Sequence, residues 1–224
     1  MDLSKNRKII KTNDGSHTLV VPELNEHYHS IHGAVNEANH VFLKMGLDEF
    51  MKQKASLVNV FEVGFGTGLN ALLSAKWAKI NSCNLHYTSI EKYPVSKEEF
   101  DQLNYGISVN EIEIYEKIYS TPWNELNKVS KSFYLKKLNL DILKDVLPGG
   151  FDVVFFDAFA PNKQPELWTV SVFKKMYEIM NKNSLLVTYC CQGQAKRNMI
   201  EAGFSVEKVP GPPGKREMLR ARKL

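Results

Sequence analysis

Only three cysteines, Cys83, Cys190 and Cys191, occur in the 224 residues, with neither a C-x-x-C pair nor metal-ligand spacing among them. That excludes a disulfide framework and a thiolate metal centre, and the expected state is reduced, buried thiol. Long apolar runs are also missing, so no segment reads as a membrane-spanning helix. The N-terminus from Met1 to Lys11 is polar and charged, without the apolar stretch of a secretory signal, and a cytoplasmic protein is expected. His27, His29 and His32 lie close in sequence, but no carboxylate or cysteine set accompanies them, and no metal is expected. Repeats, low-complexity tracts and linkers are absent too. With 43% hydrophobic and 24% charged residues, one ordinary α/β domain is the economical reading: an N-terminal extension and helix over 1–52 and a ligand-binding core over 53–224.

What the chain does have is Val60-Phe61-Glu62-Val63-Gly64-Phe65-Gly66-Thr67-Gly68-Leu69-Asn70, an apolar strand that ends in an acid and three alternate glycines and then opens a helix. Glycines at such positions let the backbone turn with positive φ and approach a ligand closely. The dinucleotide fingerprint wants a glycine or alanine three residues after the second glycine, where this chain has Leu69. The E-x-G-x-G-x-G spacing instead suits S-adenosylmethionine (AdoMet), which has no pyrophosphate to seat on a helix N-terminus and carries a cationic sulfonium. A dinucleotide site and a ligand-free turn are the competing readings.

Strand and helix signals alternate after this turn, which predicts a Rossmann-like class I fold with parallel strands and helical crossovers. Helices are expected at 69–79, from a Ser96–Glu99 capping box to about Leu103, at 109–119, at 165–180 and at 194–202; strands at 85–90, 133–140, 151–156 and 184–191. The segments 204–209 and 218–223, joined by Pro210-Gly211-Pro212-Pro213-Gly214, predict an antiparallel hairpin that closes the sheet. Before the glycine motif, a small hairpin around Asp14-Gly15 and a helix over 36–52 are expected.

Ligands of such sheets bind beyond the carboxyl ends of the strands, where Glu62, Glu91, Asp141 and Asp157 all fall. Glu91 stands 23 residues after Gly68, near the spacing at which an acid accepts hydrogen bonds from a ribose diol. Asp141 is placed to accept from an adenine amino group, or to cap a helix, and Glu62 to face the glycine loop or the methionine end. The expected cofactor contacts are thus Glu62, Gly64, Phe65, Gly66, Gly68, Asn70, Glu91, Lys92 and Asp141. Asp157 opens a loop with an aromatic residue and two prolines, Asp157-Ala158-Phe159-Ala160-Pro161-Asn162-Lys163-Gln164-Pro165. An alkylamine is mostly ammonium at neutral pH, and a carboxylate can orient it and help accept its proton as a methyl group arrives. Asp157 is therefore the catalytic candidate, with a helix-capping role as its alternative. From Lys196 onward eight basic residues face three acidic ones, net +5 in a chain of net +4. Such a concentration fits either a polyanion such as RNA or a solvated edge.

Taken together, His27-Tyr28-His29-Ser30 with Gly33-Ala34 and Glu37, the glycine motif, Asp157 to Pro161 with Pro165-Glu166-Leu167-Trp168, Glu201 to Phe204 and Gly214 to Leu219 resemble the MnmC-type methyltransferase family over about Tyr28 to Leu219. The resemblance implies AdoMet-dependent N-methylation of the aminomethyl group on a wobble uridine of tRNA, giving 5-methylaminomethyl-(2-thio)uridine. It implies AdoMet contacts at Gly64, Gly66, Gly68 and Glu91, an acid near the acceptor amine at Asp157, and substrate contacts among Phe159, Pro161, Lys163, Trp168, Lys215 and Arg216. The best-known members also carry an FAD-dependent oxidase domain. No FAD is expected in this chain, and a separate oxidase is expected to supply the amine. The alternatives are an N-methyltransferase for a small-molecule or protein amine and a non-catalytic RNA-binding module.

Overall fold

The computed structural model describes residues 6–224. Among them run strands β1 (Lys8–Lys11), β2 (His17–Val21), β3 (Glu26–His27), β4 (Leu57–Val63), β5 (Asn84–Ile90), β6 (Leu126–Ser130), β7 (Phe133–Leu138), β8 (Phe151–Phe156), β9 (Met180–Thr188), β10 (Ser205–Pro210) and β11 (Glu217–Lys223). The first three form a small antiparallel sheet; the other eight form one sheet in the order β10-β11-β9-β8-β4-β5-β7-β6. Pairings among β9, β8, β4, β5 and β7 are parallel, and β11, β10 and β6 are antiparallel additions at the two edges. The expected parallel sheet with a C-terminal hairpin is present. The chain leaves β4 toward β5 and β7, then returns to β8 on β4's other side, so the strand order reverses between β4 and β8. Open α/β sheets bind ligands at such a reversal.

The central strands read as near-continuous apolar runs because both sheet faces are covered. Phe151-Asp152-Val153-Val154-Phe155-Phe156 buries every residue but Asp152. One face packs under the helix Leu69–Ile80 and the N-terminal helical segments Ala34–Ala38, Asn39–Asp48 and Glu49–Met51. Gly46 lets that N-terminal helix lie close on the sheet, since a Cβ there would come within 3.1 Å of Val187 and 3.2 Å of Phe155. The other face is covered by the helices Val170–Ile179 and Gly193–Glu201.

Several expected boundaries shift for local reasons. The helix expected over 109–119 is divided into Tyr105–Ser108 and Ile112–Ser120 around Asn110, whose φ is +56°. The one expected over 165–180 breaks at Thr169, whose Oγ1 accepts from the Val172 N–H (3.4 Å) and caps a new helix. The Ser96–Glu99 capping box forms, but its helix ends at Phe100. Strand β6 escaped the sequence reading because this edge strand buries only Val129 fully. The Asp14-Gly15 hairpin is present as β1–β2, with Met1 to Lys5 outside the described residues. Cys83 and Cys190 are buried as expected; Cys191 is exposed.

An ionic cluster joins the two ends of the fold. Glu49 pairs with Lys52 (2.7 Å), Arg222 (2.8 Å) and Arg220 (3.1 Å), and Glu207 pairs with Arg220 (2.8 Å). The hydrogen bond from Lys52, with Arg222 and Arg220 behind it, overcomes the opposing effect of burial and draws the Glu49 carboxyl from 4.5 down to about 2. A carboxyl depressed on folding contributes stability above its unfolded pKa and loses it as pH falls toward the folded one. Glu49→Gln is expected to cost about 1 kcal/mol near neutral pH, roughly 2–4 °C in Tm. Thermal melts from pH 7 to pH 2 check this: the gap to wild type should close below about pH 4.5.

Candidate active site

Register brings the site together. Val63 pairs with Ile90 on one side and Phe156 on the other, and Ile90 pairs with Leu138, so β4, β5, β7 and β8 end in one row. The next residues, Gly64, Glu91, Asn139 and Asp157, therefore leave the sheet side by side. The Gly64 and Phe65 N–H groups both donate to Ile90 O (3.0 and 3.1 Å), and the Asp157 N–H donates to Val63 O (3.1 Å). Gly64 has φ +91°, and a Cβ on it would stand 2.9 Å from the Asp157 carbonyl oxygen. Only glycine meets both demands.

Above this row opens a cavity of about 620 Å³, within the range of small-molecule sites. Gly64, Phe65, Gly66, Asn70, Glu91, Lys92, Asp141 and Asp157 all line it, as do Phe159, Lys163 and Lys215. Gly68 does not; with φ +75° it turns the chain into the helix Leu69–Ile80. Glu62 does not line it either. Its carboxyl is 1% exposed behind the wall, where Oε1 accepts from Asn70 Nδ2 (2.9 Å) and Oε2 from Ser89 Oγ (2.6 Å). Burial pushes the Glu62 carboxyl from 4.5 up to about 8. The direct cofactor contact expected of Glu62 is thus corrected: it reaches the cavity only through Asn70.

Glu91 offers its carboxylate at the cavity wall, with Oε2 accepting from the Gly66 N–H (3.0 Å) and Oε1 from the Tyr93 N–H (2.7 Å). Lys92 pairs with Asp141 (2.9 Å), and Asp141 Oδ1 also accepts from the Leu143 N–H (3.0 Å) in a turn. Against its partial desolvation, Lys92 and that N–H hold the Asp141 carboxyl below its ordinary value. Asp157 caps no helix. Its Oδ2 accepts from Asn70 Nδ2 (2.8 Å), and burial, reinforced by the Glu37 charge, raises it from 3.8 to about 7 despite Asn70 and Lys215.

The expected substrate contacts divide. Phe159 lies edge-on to Tyr28 (5.2 Å between centroids), and Lys215 pairs with Glu37 (2.8 Å) over the Tyr189 ring (4.3 Å). Lys163 Nζ donates to Leu24 O (2.6 Å), fastening the Asp157 loop to the N-terminal segment. Pro161 and Arg216 do not line the cavity, and Arg216 is exposed. Trp168 is corrected outright: it is 3% exposed, stacked edge-on with Phe156, and its Nε1–H donates to Phe159 O (2.8 Å). It supports the loop from beneath.

Among the lining residues that had no assigned role in the sequence reading, three shape the acceptor side. Tyr28 covers Gly66, where a Cβ would meet its ring at 3.1 Å; Tyr189 donates to Ala158 O (2.9 Å); Glu37 accepts from Lys215. Tyr28 and Glu37 stand in the blocks that carry the family resemblance, whereas Tyr189 had no signal beyond lying in the strand expected over 184–191, which ends at Thr188. The histidines disperse, with His29 buried beside Thr18 Oγ1 (3.4 Å) and Tyr105 OH (3.3 Å) and lowered by burial from 6.5 to about 4. Among the described residues no group of three or more His, Cys, Asp or Glu side chains is disposed to hold a metal ion, and no helix is long and apolar enough to cross a membrane.

A parallel sheet whose strand order reverses over a glycine loop, with an acid at the end of the neighbouring strand, is the site of a class I AdoMet-dependent methyltransferase. Residues 111–224 match the model of a family described as S-adenosyl-L-methionine-dependent methyltransferases, and the chain belongs to that family. The matched span begins after the glycine loop and includes the Asp157 loop. Among relatives, the tRNA 5-methylaminomethyl-2-thiouridine biosynthesis bifunctional protein MnmC of Burkholderia multivorans is 34% identical over 223 residues, 90% of this chain and 33% of its own. That of Cupriavidus metallidurans is 32% identical over 95% of this chain and 33% of its own. The chain thus spans about a third of the length of these relatives. The crystal structure of MnmC2 from Aquifex aeolicus superposes with a TM-score of 0.74 at 26% identity, covering 96% of this chain and 70% of that one.

The raised Glu62 carboxyl has a measurable consequence. An acid raised on folding stays protonated while the unfolded chain ionises, so stability falls as pH climbs from about 4.5 to about 8. Glu62→Gln keeps an acceptor for Asn70 without an ionisable group. Its Tm should fall less steeply than that of wild type across this window, the difference growing toward pH 8, as read by calorimetry in matched buffers.

Proposed function

We propose that this chain is an N-methyltransferase acting on the aminomethyl group of a wobble uridine in tRNA, giving 5-methylaminomethyl-(2-thio)uridine, in the cytoplasm. The observation that carries the reading is Asp157: a carboxyl with no basic ion-pair partner among the described residues, raised to about 7, at the cavity wall one strand from the glycine loop. The named activity of the MnmC relatives supports the choice of acceptor.

The cofactor residues fit AdoMet. Gly64 and Gly66 turn the chain with positive φ at the cavity wall, Glu91 suits a ribose diol, and Asn70 Oδ1 is a buried acceptor with no partner among the described residues. Gly64, Phe65, Gly66, Asn70 and Glu91 are the residues assigned to hold it, with Asp141 and Lys92 at the adenine end. Bound there, AdoMet would supply an electrophilic methyl on a sulfonium, whose carbon–sulfur bonding pair would stay with sulfur when the methyl passed to nitrogen. The chain's part is to deliver a neutral amine. An alkylammonium of pKa near 10 has no lone pair to offer, and Asp157 orients the nitrogen and receives the proton it sheds. Phe159, Tyr28 and Tyr189 wall the acceptor end, and the Glu37–Lys215 pair sets its charge. An oxidase activity that removes a carboxymethyl group is the expected source of the amine.

The test is transfer of labelled methyl from AdoMet to tRNA bearing aminomethyluridine, beside tRNA bearing carboxymethylaminomethyluridine, followed by nucleoside analysis. Label in methylaminomethyluridine from the first substrate alone is expected; absence of label from both would move the acceptor to another amine. Asp157→Asn should lower kcat by at least about 10²-fold with AdoMet affinity little changed. The wild-type kcat should rise with pH through about 7, because the base acts deprotonated. Arg216→Ala should weaken tRNA binding and reduce the slope of log K against log salt by about 1; an unchanged slope would leave Arg216 a solvated edge charge.

A further inference from the structure

Asn70 occupies a singular position in the wall of the cavity. It is the second residue of the helix Leu69–Ile80, 3% exposed, and its single carboxamide nitrogen lies 2.9 Å from Glu62 Oε1 and 2.8 Å from Asp157 Oδ2. An amide nitrogen carries two hydrogens, and each is used by a different carboxyl. The two acids flanking that nitrogen also fix which way the amide points. The reverse orientation would set Oδ1 against two carboxyl oxygens and leave both N–H groups without partners. Oδ1 is buried with no protein partner, on the residue that itself lines the cavity. Behind Glu62 the chain continues to Ser89, whose Oγ donates to Oε2 (2.6 Å). The network thus runs from β5 through β4 and the glycine-loop helix to the end of β8.

We infer that Asn70 is a positioning residue for methyl transfer: its carboxamide ties the Asp157 carboxyl to Glu62, so that the acid at the acceptor and the acid under the glycine loop behave as one hydrogen-bonded unit. The inference rests on the assignment of Asp157 to the acceptor amine. It gives Asn70 a task beyond cofactor contact and gives Glu62, shut off from the cavity, a route to the chemistry. Among the described residues the Asp157 carboxyl has no other side-chain hydrogen bond and no ion pair, so the amide sets its direction and contributes to its affinity for a proton. Other ionisable groups act on Asp157 from Glu37 on the N-terminal helix, Lys215 in the C-terminal turn, Tyr189 after β9, and Tyr87 and Glu62 within the sheet. Among these neighbours Asn70 is the one that stabilises the carboxylate by a direct hydrogen bond. Its loss therefore moves the Asp157 titration upward.

The experiment uses the whole chain with Asn70→Leu, which keeps the volume and removes the donors, and Asn70→Ala as a second variant should the first fold poorly. Carboxyl ¹³C NMR follows the titration of Asp157, its resonance assigned by Asp157→Asn and separated from that of Glu62 by Glu62→Gln. The Asp157 midpoint should rise by about one pH unit in either variant, the equivalent of one hydrogen bond to a charged group. This readout needs no methyl acceptor, so it stands or falls separately from the identity of the substrate. On the methylated acceptor, kcat should fall about 10-fold or more at neutral pH, and its rising limb should move to higher pH by the same amount as the NMR midpoint. An unmoved Asp157 midpoint would overturn the inference. So would a rise confined to the AdoMet KM with kcat and pH limb intact, which would make Asn70 a cofactor contact only. Unchanged turnover in Asp157→Asn, by contrast, would overturn the functional reading and leave the NMR result in place.

Discussion

The backbone contact between the ends of β4 and β8 is the constraint on which the site depends. The Asp157 N–H bonds to Val63 O, and the Asp157 carbonyl oxygen lies 2.9 Å from where a Cβ on residue 64 would stand. Two loops of different function, one shaped for a cofactor and one carrying an acid, are thereby held within a hydrogen bond of each other. A side chain at Gly64 would force them apart, and φ +91° would strain it besides. Positioning of this kind makes a transfer reaction effectively unimolecular once both reactants are bound.

From that contact the polar interior follows. Bringing Asp157 against the glycine loop buries it near Glu62, and two buried acids repel unless a proton or a donor intervenes. Here a donor lies between them, Asn70 Nδ2, and both acids hold their protons more tightly than in water. Burial that costs stability as pH rises also brings Asp157 to a pKa suited to a base at neutral pH. The same environment thus works against the fold and, on the role proposed for Asp157, for the chemistry. The Glu49–Arg220–Arg222 cluster, which gains from ionisation, lies at the far side of the N-terminal helix.

The parts of this arrangement that sequence makes legible are those with a local grammar. Positive φ at Gly64, Gly66 and Gly68 follows from the glycine spacing, and the six-residue run before Asp157, apolar but for Asp152, identifies β8 because a two-sided core admits little else. Helix boundaries were harder where a single residue decides them, as Asn110 and Thr169 do. Burial was harder still. Nothing local separates Glu62, sealed behind the wall, from Glu91, open to the cavity, because both follow apolar strand residues. The difference is one of pleat: Glu62 lies within β4 and pairs with Ser89, whereas Glu91 is the first residue past β5.

The same logic accounts for Trp168 and Lys163, which the motif grouped as substrate contacts: the fold shuts Trp168 away from the cavity and gives Lys163, which lines it, an anchoring bond as well. A loop that must present Phe159 to the cavity needs support from below and an anchor at its side. Trp168 supplies the first through a buried indole bonded to Phe159 O, and Lys163 the second through Leu24 O. Residues that recur together in a motif can therefore share a loop without sharing a ligand. The N-terminal sheet, which composition marked only as an extension, becomes part of the site by this route: Leu24 receives Lys163, and Tyr28 lies across Gly66 to meet Phe159. The cavity is accordingly closed on one side by a segment that precedes the AdoMet motif by some forty residues, and its shape is set by contacts of long sequence separation that no local pattern encodes.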